Sequence, residues 1–199
     1  MSASVLACSR HAQARTEDAP ERFPDVTEEL PHGVRLLSLE PRSDERGSFT
    51  EMFRRRWIES PELLQWNLVR SRAGVLRGVH VHPRHHDYLV AESGRSVIGL
   101  RDLRRESPTY GVGTLVTLDG DTPRALHIPP GVAHGFLFLV ESTHIYGVSH
   151  YWDSSDELGC RFDDPLLNLP WPIREPQLSP RDLTASSLAE LLREIEASG

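Results

Sequence analysis

The chain has no lysine. All 22 of its basic residues are arginine, so no side-chain amine is available for a Schiff base and no ε-ammonium can meet a developing negative charge. Anionic ligand groups must be met by guanidinium, whose planar fork suits bidentate phosphate binding. Cysteine is scarce. Cys8 and Cys160 give no disulfide framework, and Cys8 falls in a stretch read as a loose tail, so a reducing, cytoplasmic setting is expected. No apolar run approaches the length of a membrane span. The N-terminus lacks the charged start and apolar stretch of a secretory signal. A membrane is therefore not an expected partner. Positive charge is also short: a net charge of -7 leaves no basic patch for nucleic acid. Repeats, low-complexity segments and a domain-splitting linker are absent as well. What remains is 199 residues, 38% hydrophobic and 26% charged, which suits one soluble globular domain with a sizeable core.

Residues 1–30 mix Ala, Ser, Arg, Glu and Pro without sustained periodicity and read as a flexible N-terminal tail. Residues 31–199 read as one domain. Val34 to Leu39 is a first strand, Ser43 to Gly47 a polar turn, and Ser48 to Arg54 a returning strand. The Arg54-Arg55-Arg56 run is read as a solvated strand end. Residues 63–72 give another strand, anchored by Trp66. Further strands follow at regular spacing up to Trp152, with turn chemistry at Gly94-Arg95 and Asp119-Gly120. Some eight to ten short strands of this kind argue for an antiparallel sandwich or barrel of jelly-roll type. After Trp152 the chain becomes proline-rich and irregular, and is expected to wrap the barrel. Leu188, Leu191, Leu192 and Ile195 recur at helical spacing and predict a C-terminal packing helix.

The chemistry concentrates in Gly74 to Gly94, GVLRGVHVHPRHHDYLVAESG. Four of the ten histidines, His80, His82, His85 and His86, fall here within seven residues. Strand alternation puts His80 and His82 on one face and Arg77, Val79 and Val81 on the other. His80 and His82 are thus expected to project together into the interior. Arg77 can join them only through a bulge or from the strand's edge. His85 and His86 are read as loop residues at the barrel mouth. A second histidine turn, PPGVAH, ends at His134.

LRGVH (76–80), RRESPTYG (104–111), IPPGVAHGF (128–136), CRFDDPLLNLPWP (160–172) and LSPRD (178–182) occur in an order and spacing that resemble the dTDP-4-dehydrorhamnose 3,5-epimerase family. DERGSFTE (44–51) and QWN (65–67) fit the same pattern, so the resemblance covers roughly residues 33–183. It implies an all-β, cupin-type double-stranded β-helix (jelly roll) with a C-terminal helix. It also implies a homodimer, a nucleotide-sugar substrate and no cofactor. In that chemistry a 4-keto group acidifies the protons on C3 and C5; a base removes one, the enolate is stabilised, and an acid returns a proton to the other face. The resemblance places the base at His80, oriented by Asp182. It places substrate contacts at Arg46, Glu51, Gln65, Asn67, Arg77, His134, Trp152, Glu157 and Arg181. The plainer alternative for Arg46 and Glu51 is a surface ion pair.

The departures from that pattern are specific. Aligned through Gly94, the family's enolate-stabilising lysine falls on Asp87, its acid tyrosine on Trp152, and an aspartate near the lysine on Ile98. Tyr88 and Tyr151 are neighbours of the replaced positions, but an adjacent strand residue faces the opposite way. Meanwhile His80-x-His82, four residues, Asp87, then Gly94 resembles the first motif of metal-binding cupins, and Pro129-x-Gly131-x-x-His134 resembles the second. Three imidazoles and a carboxylate would suit a divalent metal such as Zn, Mn, Fe or Ni, held by His80, His82, Asp87 and His134. Three functions remain open at this point: a nucleotide-sugar epimerase acting at C3, C5 or both; a metal-dependent cupin enzyme; and a non-catalytic sugar-nucleotide binding protein.

Overall fold

Alternating apolar and polar residues build twelve short strands and two helices in the computed structural model, which describes residues 29–153 and 157–198. The tail reading lies outside the described residues except at 29 and 30. One five-stranded antiparallel sheet contains β1 (Arg35–Ser38), β4 (Gln65–Ser71), β6 (Asp87–Ser93), β9 (Arg124–Ile128) and β11 (Ser142–Val148), in the order β1-β9-β6-β11-β4. The second contains β5 (Leu76–Val81), β7 (Arg95–Asp102), β8 (Gly113–Asp119), β10 (Val132–Phe138) and β12 (Leu158–Gly159), in the order β12-β5-β10-β7-β8. From β5 to β7 and again from β9 to β11, successive strands change sheet. That is the expected jelly roll. A hairpin of β2 (Arg42–Asp44) and β3 (Gly47–Phe49) stands apart, with all six of its residues exposed.

Two inner faces meet over part of their length. There Leu89, Leu126 and Ile128 from the first sheet pack on Ile98, Leu100, Val116, Leu118 and Val132 from the second. Each fully buried Leu or Ile contributes about 1.5–3 kcal/mol. The outer face of the second sheet is covered by the C-terminal wrap. Val79, Val81 and Ala133 pack there against Leu167, Leu169, Leu188 and Leu191. Gly99 makes room for the wrap, because a Cβ there would sit 2.5 Å from the Trp171 ring. The expected terminal helix is α2 (Leu188–Ser198). Ser187 opens it with a reciprocal cap: its hydroxyl and backbone N–H both donate to Glu190, at 2.7 and 2.9 Å.

The returning strand is shorter than expected and ends at Phe49 rather than Arg54. Residues 50–64 instead cross the outer face of the first sheet, where Phe53, Trp57, Ile58 and Leu63 pack on Tyr88, Val90 and Ala125. Burying those apolar side chains displaces regular pairing. The arginine run is likewise not a strand end: a 3-10 turn occupies Arg55–Trp57, and Arg54 pairs with Glu51.

The register between β5 and β10 decides where the chemistry points. His80 lies opposite His134, but Arg77 lies opposite Phe136. Three steps on β5 therefore match two on β10, which is a bulge with its extra residue on β5. One inserted residue reverses the alternation, so Arg77 and His80 face the same way. Gly78 sits in the bulge with φ 116°, and a Cβ on it would lie 2.8 Å from the Gly135 Cα. Gly78→Ala should therefore destabilise the fold by about 2 kcal/mol or more, read by urea denaturation. An unchanged midpoint would contradict this account of the bulge.

Candidate active site

Beyond the apolar core, the two sheets diverge around a cavity of about 500 Å³. This is within the range of small-ligand sites. Strand alternation selects its lining. Gln65, Asn67 and Val69 come from β4, Asp87 and Leu89 from β6, His134, Phe136 and Phe138 from β10, and His144, Tyr146 and Val148 from β11. Arg77 and His80 come from β5, and His82 follows directly after its last residue.

His80 makes the defining contact. Its Nε2 lies 2.8 Å from Asp182 Oδ1, across 102 residues of chain. The returning segment is fastened beside the start of β5, where Gln177 O accepts from Leu76 N at 3.0 Å and Gln177 N donates to Gly74 O at 2.8 Å. A short helix, α1 (Pro180–Leu183), then presents Asp182. Ser179 caps it, accepting from Asp182 N and donating its hydroxyl to Asp182 Oδ2 at 2.9 Å. Burial pushes the Asp182 carboxyl upward in pKa. Its hydrogen bond to His80, the charge of that imidazole, and the Ser179 and Gly78 donors outweigh burial and hold it below the usual carboxylate value. Asp182 is thus anionic and fixes the orientation of His80.

A second group lies deeper. His82, His85 and Asp87 are all buried, and each places a ligand-type atom within 4.8 Å of the others. The His82 and His85 rings stack with centroids 3.9 Å apart. Asp87 Oδ2 is 3.7 Å from His85 Nε2 and 3.9 Å from His134 Nε2. Burial, followed by the charge of His82, pushes the His134 pKa well down. His85 belongs to the β5–β6 connection as expected, but its side chain turns into the cavity rather than sitting at the mouth. His86, in the same connection, stacks on His127 instead, with 3.0 Å between Nδ1 and Nε2.

The remaining expected residues divide. Arg77 lines the cavity and donates to Ser71 Oγ at 3.0 Å. Arg181 binds Glu157 twice, through its carboxylate at 2.7 Å and its carbonyl at 2.8 Å, and Glu157 lies 3.7 Å from His82 Nδ1. Gln65 donates to Asn67 at 2.8 Å and accepts from the backbone N–H of Trp152 at 3.0 Å, which places that exposed indole at the rim. Arg46 and Glu51 are not in this cavity. They do not pair with each other either: Arg46 holds Asp44, and Glu51 holds Arg54. The metal set with His80 as a ligand is not assembled, because His80 is engaged by Asp182 and His85 takes the place beside His82 and Asp87.

Tyr146 was not singled out by its sequence context, yet it faces the cavity from β11, in the sheet opposite His80. Burial first, then the charges of Asp87 and Glu157, raise its pKa against the opposing effect of Arg77. It therefore carries its proton at neutral pH. The signal was available in the alternation of 144, 146, 148, 150 and 152, all of which line the cavity. Tyr88 faces the other way and donates to Met52 O at 2.7 Å, while Tyr151 is 70% exposed.

A family model described as dTDP-4-dehydrorhamnose 3,5-epimerase matches residues 29–190. The chain belongs to that family. It is 33% identical over 168 residues to a dTDP-4-dehydrorhamnose 3,5-epimerase of Shigella flexneri, covering 78% of this chain and 92% of the relative. It is 37% identical over 167 residues to a dTDP-4-dehydrorhamnose 3-epimerase of Streptomyces niveus, covering 79% and 81%. Among solved structures, NovW, a 4-keto-6-deoxy sugar epimerase of Streptomyces spheroides, superposes with a TM-score of 0.77 at 33% identity. That match covers 85% of this chain and 90% of NovW. These epimerases share the jelly roll that carries the cavity.

Buried imidazoles give the fold a pH limit. Burial, then the charges of His86 and Arg35, lower His127 to about 4. Burial, then the charge of Arg77, lowers His144 to about 4. Both folded values lie below the unfolded value near 6.5, so the unfolded chain takes up protons first. Their stabilising contribution is complete above about pH 6.5 and is lost as the pH falls through about 4. Urea midpoints measured across that window should decline steadily, and a flat profile would contradict the neutral, buried state of these two groups.

Proposed function

We propose that the protein epimerises a dTDP-4-keto-6-deoxyhexose at C3, C5 or both, by proton abstraction beside the ketone. The observation that carries this reading is the His80–Asp182 pair inside the cavity of a chain of this family. His80 takes the proton, and the Asp182 carboxylate stabilises the imidazolium that forms. Arg77 lines the cavity as a permanent cation and is assigned to the enolate or the diphosphate. Tyr146, which lines the cavity from the opposite sheet, is assigned the return of a proton to the other face of the sugar. Exchange of one face for the other is what epimerisation requires. The base step itself needs no cofactor.

Substrate contacts are assigned to Gln65, Asn67, Glu157 and Arg181, and the Trp152 ring at the rim offers a face to the nucleotide base. A homodimer belongs to the same reading. Arg46 and Glu51 lie outside their own chain's cavity, and the exposed β2–β3 hairpin with Arg46 in its turn is available to the cavity of a second copy. No helix among the described residues is long and apolar enough to cross a membrane. A cytoplasmic setting fits Cys160, a free buried thiol whose pKa burial and then Asp164 push up to about 12.

The test is product formation from a dTDP-4-keto-6-deoxyhexose, followed by proton NMR. The parent protein should yield an epimer. Tyr146→Phe should keep dTDP affinity and lower epimer formation by about 10²-fold or more. Arg77→Ala should weaken dTDP binding, measured by calorimetry, by about one to two orders of magnitude, as expected for a lost charge-assisted contact. An unchanged rate would remove Tyr146 from the mechanism, and unchanged affinity would remove Arg77 from the site.

A further inference from the structure

We propose that His82, His85, Asp87 and His134 form a binding site for one divalent transition-metal ion, directly beside the His80–Asp182 pair. The donor types are selective. Three imidazoles and one carboxylate suit Zn²⁺, Co²⁺, Ni²⁺ or Mn²⁺ and do not suit Ca²⁺ or Mg²⁺, which prefer all-oxygen shells. Their spacing is close. Asp87 Oδ2 lies 3.7 Å from one imidazole nitrogen and 3.9 Å from another, and the His82, His85 and Asp87 donors all fall within 4.8 Å of one another. Donors around a tetrahedral ion with bonds of about 2.0–2.2 Å stand about 3.3–3.6 Å apart. The donors stand wider than this, so taking up an ion requires them to draw inward. The His134 ring lies 5.1 Å from that of His82, on the Asp87 side of the group. All four residues are buried, at 2–6% exposure.

The ligand set differs from the one that motif spacing suggests. His80 contributes nothing to it, because its Nε2 is held by Asp182 at 2.8 Å. His85, in the connection between β5 and β6, takes its place. The base and the metal can therefore coexist, which the His80-containing set would forbid. In a chain without lysine, an ion here would be a compact cation facing the cavity. Its role as Lewis acid toward the 4-keto oxygen, stabilising the enolate, rests on the reading under Proposed function. The binding site does not.

Metal-free protein should be titrated with Co²⁺ and followed by visible absorption and by metal content after gel filtration. One ion per chain is expected, with the d–d spectrum of a nitrogen- and oxygen-coordinated site. His85→Ala and Asp87→Asn should weaken binding by about 10²-fold or more, while His80→Ala should bind within about threefold of the parent. If His85→Ala does not fold, His85→Gln, which keeps the bulk, gives the same comparison. No binding by the parent, unaltered binding in the His85 and Asp87 variants, or equal loss in His80→Ala would each overturn the site. Epimer formation by metal-free and Co²⁺-loaded protein then tests the Lewis-acid role. At least a tenfold rise on loading supports it, and equal turnover overturns it. Absence of turnover in both forms would overturn the epimerase reading while leaving the titration to stand by itself.

Discussion

A carboxylate can be buried only where partners replace its water. Asp182 is 7% exposed, and its partners come from two places: Ser179, the cap of its own helix, and His80 with Gly78 in β5. This one contact joins the middle of the chain to its end and determines what both do. The segment from Gln177 to Leu183 runs beside β5 because the carboxylate must reach His80. The cavity then gains a wall that neither sheet supplies. The same pair that carries the proposed base also closes the fold, and breaking a buried pair by removing one partner costs about 3–5 kcal/mol. Catalytic geometry and stability are coupled here through a single hydrogen bond.

Charge inside the cavity follows from what surrounds that pair. Arg77 reaches it because one inserted residue in β5 reverses the strand's phase, and glycine is needed at Gly78 to allow the close approach to Gly135. Arg181 is tied down by Glu157. Asp87, Glu157 and Asp182 bring three carboxylates to a space lined by two arginines. Where the family resemblance would put an amine, this chain carries a carboxylate ringed by imidazoles. Tyr146 feels the same negative surroundings and keeps its proton. A donor and an acceptor of protons thus face each other from opposite sheets.

How much of this could be read from the residues depended on the range of the interaction. The jelly roll was legible because alternation and turn chemistry are local, and Leu188, Leu191, Leu192 and Ile195 announced α2 by spacing alone. His80, His82 and His134 pointed inward as alternation requires. What local pattern could not carry were the choices made by packing. Residues 50–54 left the strand because Phe53 and Trp57 cover Tyr88. His85 looked like a loop residue and is buried by its stack on His82. Tyr146 carries no motif of its own, and the family pattern falls on Trp152 instead, although the two share one phase of alternation. Arg46 and Glu51 match the family's motif yet lie outside the cavity, since a motif fixes spacing along the chain and not where the fold carries it.

The central claim is that His80, held by Asp182, removes a proton from the carbon beside the sugar ketone. The most direct measurement is deuterium wash-in from solvent at C3 and C5 of a dTDP-4-keto-6-deoxyhexose, comparing the parent protein with His80→Ala and Asp182→Asn by NMR. The account predicts exchange in the parent at one or both carbons. It predicts a rate lowered by about 10²–10⁴-fold in the histidine variant and a strongly reduced rate in the folded asparagine variant, where the imidazole loses its anionic partner. Rapid exchange in His80→Ala would contradict it.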